Sequence, residues 1–160
     1  MRRSSLRSFL LVLLLVAACG GESALPSGSP PETTPPSDLT PWQLEHGIGP
    51  ITEAIVLTAI DRHEAAEGKK IFDLKCASCH KSDERYVGPP LGGIVGHRTP
   101  EYVMNMMLDP ATMVRRHPEA KKLFTTFLLE MPNLSLTPEQ AREILEYLRT
   151  LPPPPAPPAQ

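Results

Sequence analysis

Apolar residues recur at helical spacing from the middle of the chain to its end, and capping residues mark where helices begin. Asp61 can cap the first of these helices, and Thr99 followed by Pro100 opens the second. Thr137 and Gln140 form a capping box before the last. The predicted helices cover residues 62–75, 100–108, 111–115, 118–130 and 138–150. The predicted fold class is therefore all-α.

The segments outside these helices differ in composition. Residues 19–41 are rich in Ser, Pro, Thr and Glu and hold few large apolar side chains, which predicts a disordered tether. Residues 42–60 are apolar but broken by Gly and Pro, which predicts a helical turn near Trp42 and then an extended arm packed on the domain. Trp42 could be packed there or exposed for docking to a partner. A proline-rich tail over residues 152–160 leaves one domain, residues 61–151.

Residues 1–18 have the pattern of an export signal. Three arginines precede the apolar run from Phe9 to Val16, and that run is too short to span a bilayer with ease. The run ends in small residues before Cys19, as in the lipobox of bacterial lipoproteins, where the cysteine is lipidated after cleavage. An ordinary signal peptide with a stray cysteine is the alternative. We expect an exported protein, anchored by lipid at Cys19 to the extracytoplasmic side of a membrane.

The charge balance gives no support for a nucleic-acid partner. Removing the three signal arginines leaves 13 Lys and Arg against 18 Asp and Glu, a net charge near −5. Residues 61–151 hold 13 charged residues of each sign. A nucleic-acid-binding domain normally carries a strong basic patch, and none is present in the sequence pattern.

The stretch from Cys76 to His80 reads C-x-x-C-H, a signal for covalent attachment of c-type haem. Two thiols at this spacing can each bond to a haem vinyl group, and His80 then stands beside the ring as an iron ligand. A redox disulfide or half of a zinc site would use the same two cysteines. With Cys19 assigned to lipid, and Cys76 and Cys79 to haem, no cysteine is left over.

A haem iron held by one histidine needs a second axial ligand or leaves an open site. Met131 lies in a loop before the last helix, and 131 − 80 places it 51 residues after His80, far enough to reach the other face of the ring. Spacing alone leaves Met131 between ligation and packing. The remaining candidates are expected to pack, hydrogen bond or face solvent, and they are Met104, Met106, Met107, Met113, His46, His63, His97 and His117.

Residues 61–151 resemble the class I c-type cytochromes. The matching positions are Gly68, Phe72, Cys76, Cys79, His80, the Gly88-Pro89-Pro90-Leu91 stretch, Met131-Pro132, Leu136-Thr137 and Tyr147. The resemblance implies a cytochrome c fold of about four to six helices around one covalently attached haem c. It also implies that the Pro89 carbonyl supports His80 and that Met131 is the distal ligand. Residues 42–51 and 105–110 resemble segments of some bacterial membrane-bound monohaem cytochromes.

The resemblance implies an electron carrier rather than an enzyme. Family members of this kind pass single electrons from a quinol-oxidising complex to a terminal haem–copper oxidase in a respiratory chain, and we expect a monomer. Cations flanking the haem motif could guide docking or could simply be solvated, and they are Lys69, Lys70, Lys75, Lys81 and Arg85. If Met131 does not bind iron, the alternatives are a haem-based gas sensor or a small haem enzyme. A scaffold lipoprotein with incidental haem is a further alternative to the electron carrier.

Overall fold

A computed structural model describes residues 38–155 of the chain. Within them lie six α-helices: α1 Pro41–His46, α2 Arg62–Lys75, α3 Pro100–Leu108, α4 Pro110–Arg116, α5 Pro118–Phe127 and α6 Pro138–Thr150. One turn of 3-10 helix, Ile94–Gly96, precedes α3. The predicted all-α class is confirmed. The predicted signal, Cys19 and residues 156–160 lie outside the described range. No helix in residues 38–155 combines the length and the apolar character needed to cross a membrane.

Local capping chemistry sets the helix boundaries. The Asp61 carboxylate accepts the backbone N–H groups of His63 and Glu64 at 2.8 and 3.0 Å, which begins α2 where the sequence predicts it. The capping box at Thr137 begins α6 as predicted. Helix α5 ends at Phe127 rather than at the predicted residue 130, because Leu128 adopts a left-handed backbone conformation with φ 54°.

Helices α2 and α6 cross in direct backbone contact, and this crossing forms the centre of the domain. A Cβ atom added to Gly68 of α2 would lie 1.9 Å from the carbonyl oxygen of Glu143 in α6. Beside the crossing, the rings of Phe72 and Tyr147 pack with their centroids 5.2 Å apart. A residue with any side chain at position 68 would separate the two helices. The crossing holds α2, and the haem motif that follows it, in a fixed place.

Residues 38–60, which we call the strap, lie against α3 and α4 on one side of the domain. Asn105 of α3 is fully buried and accepts the Ile51 N–H at 2.9 Å. Its amide donates to the carbonyls of His46 and Ile51 at 3.1 and 3.0 Å. The Met113 sulfur accepts the Ile48 N–H at 3.1 Å. The strap backbone is therefore satisfied by buried side chains of the domain.

The strap begins earlier than the boundary predicted at residue 42. Leu39 is buried, and Thr40 forms a second capping box with Gln43 that begins α1. Trp42 is half-buried and stacks on the His46 ring with centroids 3.7 Å apart, so it is packed within the strap. The Thr40-Pro41 pair followed by Gln43 carries the same capping signal that locates α6, and sequence reasoning missed it here.

Candidate haem site

The C-x-x-C-H residues form a tight turn at the end of α2. The Cys76 N–H donates to the Phe72 carbonyl at 2.8 Å, and the His80 N–H donates to the Cys76 carbonyl at 2.9 Å. Cys76 is buried, whereas Cys79 and His80 are half-buried. All three line one cavity of about 490 Å³, a volume typical of a ligand pocket. The wall is mostly apolar and includes Phe72, Leu91, Ile94, Val103, Ile144 and Leu148.

The imidazole of His80 is fixed in one tautomer. Its Nδ1 lies 2.9 Å from the Pro89 carbonyl oxygen, and because a carbonyl only accepts, Nδ1 carries the proton. The Nε2 atom is then unprotonated and has a free lone pair, the form that binds a metal ion. Burial lowers the pKa of His80, and the bond to Pro89 opposes that shift in part. The ring is therefore neutral at pH 7, as an iron ligand must be.

Gly88 makes room for the His80 ring. A Cβ atom at position 88 would lie 2.5 Å from His80 Cε1 and 2.9 Å from Nδ1. The Gly88 N–H donates to the Cys79 carbonyl at 2.8 Å, which ties this loop to the haem motif. The Gly-Pro pair thus provides both the space beside the ring and the acceptor that orients it.

Met131 lines the same cavity as His80. Its loop is fastened to α2, because the Lys75 ammonium donates to the Leu134 carbonyl at 3.1 Å. Within the loop the Ser135 N–H donates to the Asn133 side chain at 2.8 Å, with Ser135 in a left-handed conformation of φ 51°. The structure thus gathers Cys76, Cys79, His80, Pro89 and Met131 around one cavity.

Two further methionines line this cavity. Met106 and Met107 of α3 both line it, whereas the helical pattern predicts only that they pack. The signal that could have shown this is their spacing from Val103, which also lines the cavity, because residues three and four apart share a helix face. Met104 and Met113 are buried in the core, as predicted.

His46 in the strap and His117 beside it are both occupied by hydrogen bonds. His117 is 1% exposed, its Nδ1 accepts the Glu119 N–H at 3.2 Å, and its Nε2 donates to the Leu44 carbonyl at 3.1 Å. His46 Nδ1 lies 2.9 Å from the buried carboxylate of Glu101. Burial lowers the pKa of His117, so its ring is neutral. Both rings hold the strap on the domain.

The alternative interpretations of the cysteine pair fit the geometry less well. No disulfide bond joins Cys76 and Cys79. Burial raises the pKa of Cys76 to about 11, whereas a redox-active cysteine needs a lowered pKa. Among residues 38–155 no group of three or more His, Cys, Asp or Glu side chains is placed to hold a metal ion, which leaves a zinc half-site without its other ligands.

Comparison with known proteins decides the family. Residues 65–152, more than half of the chain, match the profile of the cytochrome c family. The chain belongs to the cytochrome c family. Members of this family carry covalently attached haem c, and the relatives indicate a haem c electron carrier. The cavity beside two cysteines and a neutral imidazole suits that group, because it supplies both attachment thiols and an axial nitrogen.

This cytochrome resembles solved and curated proteins over different lengths. Cytochrome c from Rhodothermus marinus is 41% identical with a TM-score of 0.64, and the match covers 69% of this chain and 95% of that one. An engineered form of that protein, bound to a carbene intermediate, is also 41% identical with a TM-score of 0.62, over 69% of this chain and 96% of that one. A cytochrome c-553-like protein of Synechocystis is 26% identical over 89 residues, 55% of this chain and 70% of its own length. Cytochrome c2 of Rhodopseudomonas palustris is 46% identical over 35 residues, 22% of this chain and 30% of its own length.

The cations that flank the haem motif all make contacts within the chain. The partners are Asp73 for Lys69, Glu67 for Lys70, and the carbonyls of Leu134, Ala77 and Thr126 for Lys75, Lys81 and Arg85. Surface pairs of this kind are weak and screened by salt, so they leave these cations accessible to a partner. Lys75 differs, because its bond fixes the loop that carries Met131.

Proposed function

We propose that this cytochrome is a membrane-anchored, monohaem electron carrier of a respiratory chain. Cys76 and Cys79 hold the haem by thioether bonds, and His80 and Met131 are the axial ligands. Lipid on Cys19 tethers the protein on the extracytoplasmic side of the membrane. The donor is a quinol-oxidising complex and the acceptor is a terminal haem–copper oxidase.

The orientation of His80 carries the proposal. Its Nδ1 proton is committed to the Pro89 carbonyl at 2.9 Å, so the other ring nitrogen is left as a lone-pair donor. A hydrogen bond of this kind fixes the ring and increases its basicity as a metal ligand. A pocket that only stored an apolar molecule would need no such arrangement.

The bound haem supplies a reversible one-electron couple between ferrous and ferric iron. The chain orients His80 through Pro89 and excludes water with an apolar wall. A thioether on the other face favours the ferrous state, because sulfur is a soft ligand. His80 and Met131 would both bind the iron, so no substrate would need to reach the metal. At the rim of the cavity Phe124, Val87 and Leu129 are 41%, 38% and 53% exposed, which suits electron exchange with a partner at the haem edge.

A redox-titrated absorption spectrum tests the ligand assignment. We expect the exported protein to show a single haem, a weak long-wavelength band of ferric iron bound to methionine sulfur, and no spectral change with carbon monoxide. Met131→Ala should lose that band, bind carbon monoxide and have a lower reduction potential. Met106→Ala is the matched control, because Met106 lines the same cavity and should keep all three properties.

The result also separates the carrier from the competing classes. Carbon monoxide binding by the wild-type protein would favour a gas sensor or a small haem enzyme. If Met106→Ala removes the sulfur band and Met131→Ala keeps it, the ligand assignment is wrong while the carrier proposal stands.

The membrane and partner assignments need separate measurements. Cys19→Ser should release the haem protein from the membrane fraction without changing its spectrum, because lipid at Cys19 would be the anchor. Reduced protein added to membranes of the same cells should be reoxidised by the terminal oxidase. A Cys19→Ser protein that stays in the membrane fraction would exclude the lipid anchor, and membranes that never oxidise the reduced protein would exclude the carrier role.

A further inference from the structure

The hydroxyl group of Tyr102 is a buried polar atom without a partner. Tyr102 lines the haem cavity and is 4% exposed. Across residues 38–155 its hydroxyl oxygen is the buried side-chain nitrogen or oxygen atom that makes no hydrogen bond. Leaving a hydroxyl buried and unpaired is costly, and native structures rarely do so. The missing partner is therefore expected on the molecule that fills the cavity.

At neutral pH the Tyr102 hydroxyl keeps its proton, so it can hydrogen bond to an anion only as a donor. Burial raises the pKa of Tyr102, the charge of Arg98 opposes that shift, and Glu119 adds to it. The group therefore stays protonated. The ring that carries it is held from the far side, because His117 packs edge-on against it with centroids 5.1 Å apart. His117 is itself fixed at both ring nitrogens, so the hydroxyl is positioned before any ligand arrives.

Arg98 places a positive charge beside this hydroxyl. Its guanidinium carbon lies 5.2 Å from the centroid of the Tyr102 ring, and its side chain also lines the cavity. One of its N–H groups is used by the Glu119 carboxylate at 3.0 Å. Lys122 pairs with the same carboxylate at 2.6 Å, so two cations surround one anion and the cluster keeps a positive charge. A guanidinium has several N–H donors and can bind a second carboxylate.

We propose that Tyr102 and Arg98 together bind one of the propionate carboxylates of the haem, the hydroxyl by a hydrogen bond and the guanidinium as its counter-ion. The inference rests on the proposed haem placement and goes beyond it, because it assigns the polar end of the group. Tyr102 and Arg98 are positioning residues and do not touch the iron. Their effect on electron transfer is electrostatic. An anionic carboxylate near the iron stabilises the ferric state, and a donor and a cation bound to it weaken that stabilisation.

A nuclear Overhauser measurement on the reduced wild-type holoprotein tests the contact directly. We expect cross-peaks between the ring protons of Tyr102 and the methylene protons of one propionate. We also expect a slowly exchanging hydroxyl proton that is absent from Tyr102→Phe. Tyr86→Phe is the matched control, because it removes the same atom from a ring that is 56% exposed.

Reduction potentials supply the second readout. Tyr102→Phe and Arg98→Gln should each lower the potential, and the double variant should shift it by less than the two single shifts combined, because both residues act on one carboxylate. Arg115→Gln is the control for loss of one charge, because Arg115 is exposed and hydrogen bonds to Thr112. It should leave the potential close to that of the wild type.

Absence of the Tyr102–propionate cross-peaks in the wild type would overturn the inference, and so would an unchanged potential in Tyr102→Phe. The wild-type measurement stands even if a variant fails to fold. Neither negative result affects the carrier proposal. That proposal would instead fail if the wild type lacked the sulfur band or bound carbon monoxide.

Discussion

Replacing Gly88 by alanine tests how closely the His80 ring is held. The added Cβ would lie 2.5 Å from His80 Cε1, whereas an ordinary contact begins at 3.4 Å, so the ring must move by the difference of about 0.9 Å. In the wild type, His80 Nδ1 donates to the Pro89 carbonyl oxygen at 2.9 Å. A displacement of that size away from Pro89 takes the donor beyond hydrogen-bonding distance.

Two costs then add. The lost hydrogen bond is worth about 1 kcal/mol, and overpacking of a filled site costs about 1–3 kcal/mol. We expect Gly88→Ala holoprotein to be destabilised by roughly 2–4 kcal/mol, which lowers the guanidinium chloride midpoint by about 0.5–1 M. The reduction potential should rise, because a histidine without its Pro89 acceptor is a weaker donor and stabilises ferric iron less.

The assay is unfolding followed by haem absorption, together with a redox titration of the same samples. Gly96→Ala is the matched control, because a Cβ at position 96 would meet nothing within 4 Å. Its stability should stay within about 0.5 kcal/mol of the wild type and its potential should not change. If Gly88→Ala behaves like Gly96→Ala, the ring is free to shift and the support assigned to the Gly-Pro pair is wrong.

Three further predictions concern the packing around the site. Gly68→Ala places a Cβ 1.9 Å from the Glu143 carbonyl oxygen, and should lower the melting temperature by roughly 10 °C; no fall relative to Gly96→Ala would contradict the close crossing. Asn105→Ala removes three hydrogen bonds to the strap and should cost about 2–4 kcal/mol, with faster amide exchange confined to residues 46–55 in a hydrogen-exchange experiment. Burial alone would raise the pKa of Glu146, but hydrogen bonds from Arg149 and Arg142 lower it below the usual 4.5. The ionised carboxylate therefore stabilises the fold above that pH, and this stabilisation is lost as the pH falls through the lowered pKa. Glu146→Gln should therefore cost about 3 kcal/mol at pH 7, and its difference from the wild type should shrink in acid unfolding titrations.

The helices could be predicted because their signals are local. The side chains of Asp61, Thr99 and Thr137 accept backbone N–H groups two or three residues later. Four adjacent residues are therefore enough to predict where each helix begins. The end of α5 escaped prediction, because Leu128 adopts the left-handed conformation without the glycine that usually marks such a helix end. Prediction of local structure succeeded where its cause is also local.

The candidate site was predictable where resemblance supplied the long-range contacts. The motif identifies Cys76, Cys79 and His80 from five adjacent residues, but Met131, the proposed distal ligand, lies 51 residues after His80 and is one of three methionines at the cavity. The sequence separates Met131 in a loop from Met106 in a helix, but access to the cavity depends on tertiary contacts, and both residues line it. The Tyr102–Arg98 pair escaped for the same reason, since its meaning depends on an unpaired hydroxyl.

Helix α3 lies between the strap and the haem cavity, with one face against each. Glu101 and Asn105, four residues apart, face the strap: Glu101 accepts the Ile55 N–H and the His46 ring, and Asn105 holds Ile51. Val103 and Met106 line the cavity on the opposite side. Tyr102 belongs to both, because it shares a buried apolar cluster with the strap residues Leu39 and Ile48 and also lines the cavity. A change that loosens the strap must therefore move the wall that positions Tyr102, and the strap contributes to the geometry of the site although none of its residues lines the cavity.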